Sequence, residues 1–262
     1  MPISNRLARL IREHRPAIGM WINLSDPGVA QIAAIAGYDW VMIDTEHNPF
    51  TESQILGLLH CLREHDVTPV VRVRGNREEC VKWVLDAGAG GIIVPSLKNA
   101  ADARHAVEIC KYFPLGMRGY GPNRASDFWS KGKQYLEAAN QDIVLIGQIE
   151  LASALAEADS ICQLPGLDGV WIGPTDLAQS LGQLGNPDHP SVQAGIETVV
   201  ETAIRHGKPW GIPTGSLWDY ERYMKRGGVL MTLGSDSRIL LSGGTDFVQQ
   251  ARQLRPSERT AP

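Results

Sequence analysis

No two of the four cysteines are spaced as CxxC. Cys61, Cys80, Cys110 and Cys162 stand far apart, which excludes a dithiol redox motif and a thiolate zinc site, and they read as reduced core thiols. Long apolar runs are missing too. No stretch approaches the about 18 apolar residues of a membrane span, and the N-terminal MPISNRLARLIREHRP is charged throughout, unlike a secretory leader. The expectation is a cytoplasmic protein with no membrane partner. Basic runs are also scarce: the net charge is -4 and the densest cluster is Arg72, Arg74 and Arg77, which argues against nucleic acid as a partner. A P-loop is absent, and no GxGxxG follows the first strand-like run.

What is present is a chain able to bury a large core, with 43% hydrophobic residues and 27 glycines in 262 residues. Apolar runs of strand length recur between segments of helical spacing, the pattern of βα units. Eight are found, at 18–24, 39–44, 69–73, 90–95, 143–150, 168–173, 208–214 and 228–234. The expected fold is therefore an α/β TIM (β/α)8 barrel in one domain over residues 1–254, with 255–262 as a disordered tail. Helix starts are expected at Asp26-Pro27, at Thr51 with Glu52 and Gln54, and at Asn76 as a cap. Gly37, Gly88 and Gly227 are expected just past helix ends. Residues 112–142 break the rhythm, and a long irregular connection of this kind reads as a lid, a surface excursion or a subunit contact.

In such a barrel the chemistry collects where strands end. Asp44, Glu46 and His47 follow the second run, Arg72 ends the third, Gln148 and Glu150 end the fifth, Asp176 follows the sixth, and Ser235 and Asp236 follow the eighth. Charges there are costly unless paired or ligated. Glu150 and Asp176 form a carboxylate pair suited to a hard divalent cation such as Mg²⁺ or Mn²⁺, although Asp176 could equally cap the helix LAQSLG. The free N–H groups of Thr175 and Asp176 would suit a substrate carboxylate. His47 is the one histidine at a strand end, placed for proton transfer, and Arg72 could stabilise an oxyanion or form a salt bridge with Asp44 or Glu46. Asp86, near a helix C-terminus, opposes the helix dipole, which hints at a paired role. No lysine ends a strand, so a Schiff-base mechanism is disfavoured.

Several segments in order, GYDWVMIDTEH, PVVRV, VKWVLDAGAGGIIVP, YFPLGMRGYGPNRAS, QIE and DGVWIGPTDLA followed by GNPDHP, resemble the HpcH/HpaI class II pyruvate aldolases over residues 17–250. The resemblance implies a phosphoenolpyruvate/pyruvate-type barrel that cleaves a 4-hydroxy-2-oxo acid to pyruvate and an aldehyde. It implies a divalent cofactor, Mg²⁺ or Mn²⁺ with Co²⁺ as a further option, on Glu150 and Asp176. Arg72 would face the enolate oxygen, His47 would move protons with Asp86 as its partner, Gln148 would support the metal shell, Thr175 and Asp176 would hold the carboxylate, and Trp21 would border the pocket. A homo-hexamer with a swapped C-terminal helix near 236–251 is also implied. Thr45, Trp210 and Pro213 depart from the common pattern and point to the aldehyde side. The competing expectations are a macrophomate-synthase-like enzyme, which decarboxylates oxaloacetate with C–C bond formation, and a non-catalytic metabolite-binding barrel.

Overall fold

The computed structural model describes residues 5–254, so the tail expected at 255–262 lies outside the described residues. Eight parallel strands close into a barrel in sequence order: β1 Ala17–Ile22, β2 Trp40–Asp44, β3 Thr68–Arg72, β4 Gly91–Val94, β5 Val144–Ile149, β6 Gly169–Ile172, β7 Trp210–Thr214 and β8 Leu230–Ser235. The helices are α1 Arg6–Arg12, α2 Pro27–Ile35, α3 Glu52–Cys61, α4 Glu78–Asp86, α5 Ala100–Cys110, α6 Gly132–Asp142, α7 Ala152–Ala156, α8 Ala158–Cys162, α9 Pro174–Ser180, α10 Pro190–Arg205, α11 Leu217–Lys225 and α12 Asp236–Gln253. This is the TIM-type architecture. Among the described residues, no helix is long and apolar enough to cross a membrane.

The alternation of each strand decides what enters the barrel. Val41, Ile43, Val71, Leu145 and Ile149 pack outward, in the larger apolar cluster beneath the helices. Trp40, Met42, Val70, Val144, Ile146 and Trp171 point inward, with Leu7, Leu10 and Ile11 of α1 plugging the N-terminal end. Trp40 and Trp171 meet edge-on there, centroids 5.7 Å apart. Carrying the inward parity to the strand ends brings Trp21, Asp44, Arg72, Gln148 and Glu150 into the opposite mouth. Sequence order and register thus converge on one face.

Local signals held in part. Asp26 caps α2, and Thr51 with Gln54 forms a capping box on α3. Gly37, Gly88 and Gly227 follow α2, α4 and α11 with φ of 94°, 106° and 86°. Asn76 is not a cap: Arg77 precedes α4 without a side-chain cap bond, and Asn76 Nδ2 donates instead to the Asp102 carbonyl at 2.8 Å. The segment 112–142 is also more regular than expected, since its last 11 residues are α6. It joins the lower end of α5 to the start of β5, at the barrel's N-terminal face, so it cannot be a lid over this chain's own mouth. Its exposed Phe113, Met117, Tyr120 and Phe128 suit the alternative of a contact surface.

Candidate active site

Arg72 is the centre of the mouth. It is 3% exposed and grips the buried carboxylate of Asp44 with two prongs, Nε to Oδ1 at 2.9 Å and Nη2 to Oδ2 at 2.8 Å. The strand register places the two residues opposite each other. Its Cζ lies 4.5 Å from the centroid of the Trp21 ring, and Trp21 Nε1 donates to Thr232 Oγ1 at 2.7 Å. A forked pair stacked on an indole fixes a guanidinium in one plane. The salt bridge expected as an alternative for Arg72 is therefore present, and Nη1 is left facing Glu46 Oε2 at 3.1 Å.

Glu46 Oε2 is buried without a hydrogen-bond donor in line. Burial pushes the Glu46 carboxyl above its usual range, an effect that Arg72 opposes and the nearby Glu150 charge reinforces. His47 stands at the rim, its side chain 61% exposed and Nε2 3.8 Å from Glu46 Oε2. It reaches both solvent and the mouth.

On the far side of the mouth, Glu150 is 1% exposed at the end of β5. Ser96 donates to its Oε1 from the backbone N–H at 2.7 Å and from Oγ at 2.9 Å. Ser96 adopts a left-handed φ of 52°, an unusual conformation for a non-glycine residue that aims both donors at one oxygen. Gln148 Nε2 contacts Oε2. Burial raises the Glu150 pKa, Ser96 and Gln148 oppose the rise, and the Asp176 charge adds to it. Asp176 lies in the first turn of α9, whose cap residue is Gly173 with no side-chain cap bond, so it does not serve as a cap. Thr175 and Asp176 carry N–H groups ahead of the first intrahelical bond, which runs from Leu177 to the Gly173 carbonyl at 2.9 Å.

Two observations bear on whether these residues fit a divalent cation. Gln148 Oε1 is a buried acceptor with no donor, beside a carboxylate whose charge burial penalises. Next to them Gly173 keeps space open, since a Cβ there would lie 2.9 Å from Glu150 Cβ and 3.0 Å from Gln148 Nε2. Oxygen acceptors without protons around such a gap are the donor chemistry of a hard cation. Among the described residues no group of three or more His, Cys, Asp or Glu is placed to hold a metal. A site on Glu150 and Asp176 has two, which suits an ion that keeps several water or substrate oxygens.

Topology sets Asp86 and Trp210 of this chain away from the mouth. Asp86 ends α4 and so lies at the N-terminal face, whereas His47 follows β2 at the mouth. Asp86 Oδ1 accepts from the fully buried Arg118 at 2.6 Å, and among the described residues no hydrogen bond or ion pair joins it to His47. Trp210 begins β7, is 1% exposed, and packs edge-on against Tyr223 with centroids 6.0 Å apart. It therefore forms no part of an acceptor wall. Thr45, just past the end of β2, stays at the mouth but has its Oγ1 engaged by the Arg72 carbonyl at 2.7 Å, and Pro213 lies near the end of β7. A cavity of about 580 Å³ likewise opens at the N-terminal face, lined by Thr68, Pro69 and Gly90 at strand starts, and holds none of the expected site residues.

Some contributors escaped the sequence reading. Ser96 follows β4 by two residues, and Asn48 and Asn23 bond each other across neighbouring loops at 3.1 Å. The strand-end position of Ser96 was a usable signal. The two asparagines offered none.

Comparison with known proteins agrees with this geometry. The profile of the HpcH/HpaI aldolase/citrate lyase family matches residues 17–242. A hydroxypyruvate/pyruvate aldolase of Cupriavidus necator is 36% identical, covering 100% of this chain and 95% of its own length. A 4-hydroxy-2-oxo-heptane-1,7-dioate aldolase of Salmonella typhimurium is also 36% identical, covering 92% of each. Among solved structures, an HpcH/HpaI aldolase/citrate lyase family protein of Burkholderia cenocepacia superposes with a TM-score of 0.90 at 33% identity, covering 95% of this chain and 100% of that one.

Proposed function

This chain belongs to the HpcH/HpaI aldolase/citrate lyase family, and on that premise we propose that it is a divalent-metal-dependent carbon–carbon lyase cleaving 4-hydroxy-2-oxo acids to pyruvate and an aldehyde. The observation that carries the reading is the pairing, across one barrel mouth, of a buried carboxylate fixed by Ser96 with a guanidinium fixed by Asp44. Glu150 and Asp176 would hold the cation, with Gln148 beside them. Bound there, Mg²⁺ or Mn²⁺ would supply Lewis-acid polarisation of the 2-oxo group.

The chain's own residues perform the rest. The N–H groups of Thr175 and Asp176 take the substrate carboxylate. Removal of the C4 hydroxyl proton breaks the C3–C4 bond, the aldehyde leaves, and the electron pair moves onto the C2 oxygen as an enolate that Arg72 stabilises through its Nη1 side. His47 at the rim exchanges that proton with solvent, and C3 then takes up a proton to give pyruvate. Trp21 holds the guanidinium from below. The oxaloacetate reading leaned on a wider wall at Trp210 and Pro213, and of the two the fold places Trp210 at the other end of the barrel. The test is pyruvate release from a 4-hydroxy-2-oxo acid. Release that stops in chelator and returns with Mg²⁺ or Mn²⁺ supports the proposal, and a full rate in chelator sinks it.

Cation binding also has a readout without turnover. Because the folded-state pKa of Glu150 is raised, the folded protein holds that proton more tightly than the unfolded chain. The stability this gives is present below the unfolded pKa and lost as pH rises through the folded one. A cation that binds the ionised form offsets the loss. Its stabilisation is expected to be larger near about pH 8 than near about pH 5, with a rise in melting temperature of about 5–10 °C at saturating ion. Differential scanning at both pH values measures it, and an equal or larger shift at the acid value would refute the site.

The chain should also act as an oligomer. Helix α12 leaves Leu240, Leu241 and Phe247 each about 70% exposed, a face suited to a second copy in a homo-hexamer with the helix exchanged. Since Asp86 and His47 lie at opposite ends of one chain, Asp86 can partner His47 only from another copy. His47→Ala and Asp86→Asn proteins, each impaired alone, are then expected to recover part of the cleavage rate when co-refolded. The asparagine keeps an acceptor for Arg118, and a mixture no more active than its components would remove Asp86 from the mechanism.

A further inference from the structure

Asp44 does more than pair with Arg72. Its carboxylate accepts from the Glu46 N–H at 3.1 Å and, on Oδ2, from Asn48 Nδ2 at 3.2 Å, as well as from both prongs of the guanidinium. Asn48 Nδ2 also lies 3.2 Å from the Asp44 carbonyl and 3.1 Å from Asn23 Oδ1. One amide thus ties the loop that carries Glu46 and His47 back to its root at Asp44 and across to the loop after β1. The far end is closed separately, Arg74 Nη2 donating to the Phe50 carbonyl at 2.6 Å and the Phe50 N–H to the Asn48 carbonyl at 2.9 Å.

Asn23, in turn, is not free to move. Asp236, the first residue of α12 and 5% exposed, accepts from the Asn23 N–H at 2.9 Å, the Leu24 N–H at 2.8 Å and the Ser237 N–H at 2.6 Å. Asn23 Nδ2 reaches Ser237 Oγ at 3.3 Å. The contacts therefore run without a break from the root of α12 through the β1 loop and Asn48 to Asp44 and Arg72.

We propose, resting on the lyase reading above, that Asn48 is a positioning residue. Braced by Asn23 and Asp236, it holds the Asp44 carboxylate in the plane that Arg72 needs and holds the His47 loop over the mouth. Asn48 touches no reacting atom in this scheme. Its loss acts through the orientation of Arg72 and His47, so the rate falls while substrate affinity is kept. A misplacement of about 1 Å caused by a residue away from the chemistry can cost on the order of 100-fold in rate.

The experiment compares wild type, Asn48→Ala, Asn48→Asp, Asn23→Ala and the Asn23→Ala/Asn48→Ala double variant. Cleavage kinetics, melting temperatures and crystal structures are collected with Mg²⁺ present. Asn48→Ala is expected to lower kcat at least about tenfold with KM within about twofold. The near-isosteric Asn48→Asp should do worse, because it removes the donor and sets a second carboxylate against Asp44. The double variant should lose no more than Asn48→Ala alone, as members of one network do. An unchanged kcat for Asn48→Ala, or a loss confined to KM or to melting temperature, overturns the proposal. If the wild type itself cleaves no 4-hydroxy-2-oxo acid, the lyase reading fails and the crystal structures still decide on Asn48. A forked Asp44–Arg72 pair and an unmoved 45–50 loop in Asn48→Ala overturn it, whereas a displaced loop or a broken fork supports it.

Discussion

Glu150→Gln is expected to abolish turnover, by at least about 10³-fold in kcat/KM, while leaving the melting temperature of the metal-free protein unchanged or higher. The two effects diverge for one reason. Glu150 is a carboxylate at 1% exposure whose pKa burial has raised, so its charge is a cost to the fold. The amide keeps an oxygen for the two Ser96 donors at 2.7 and 2.9 Å, and it removes the negative charge that a cation requires. A structural glutamate would behave in the opposite way, losing stability and keeping rate. Steady-state kinetics and calorimetry on one preparation separate the cases.

Arg72→Lys is expected to cost about 10²–10³-fold in kcat with a smaller change in KM. Lysine keeps the charge and loses the fork. The bidentate grip on Asp44 and the planar stack 4.5 Å from Trp21 both depend on guanidinium geometry, which an ammonium cannot reproduce. Were Arg72 there only to neutralise Asp44 and Glu46, lysine would retain most of the rate. A kcat within about threefold of wild type would move Arg72 from the chemistry to the scaffold.

Most of the architecture was legible because strand alternation and strand order are local properties. Val70 points inward, so Arg72 two residues on must do so too, and the same parity on β5 delivers Gln148 and Glu150. Strand parity alone does not give position along the barrel axis. Asp86 ends α4, two residues before Gly88 and ahead of β4, and Trp210 opens β7 rather than closing it. Both are thereby assigned to the N-terminal face by topology alone. The resemblance carried Asp86 to His47, while a single chain keeps them apart. Ser96 stood just past a strand end, but its contact with Glu150, like the bond between Asn48 and Asn23, was hidden for another reason. Their roles come from side-chain hydrogen bonds between loops that are distant in sequence, 25 residues apart for the two asparagines and 54 for Ser96 and Glu150. No pattern of spacing encodes such a contact before the barrel closes.

The acceptor aldehyde enters the reaction only after the pyruvate half is activated, so the enolate step can be observed without it. Proton NMR of pyruvate in deuterated water, with the protein and Mg²⁺ or Mn²⁺, reports that step directly. The account predicts loss of the methyl signal at a rate that a chelator suppresses and that falls in Glu150→Gln and Arg72→Lys. Pyruvate that binds without methyl exchange, or exchange that proceeds unchanged in chelator, would contradict it.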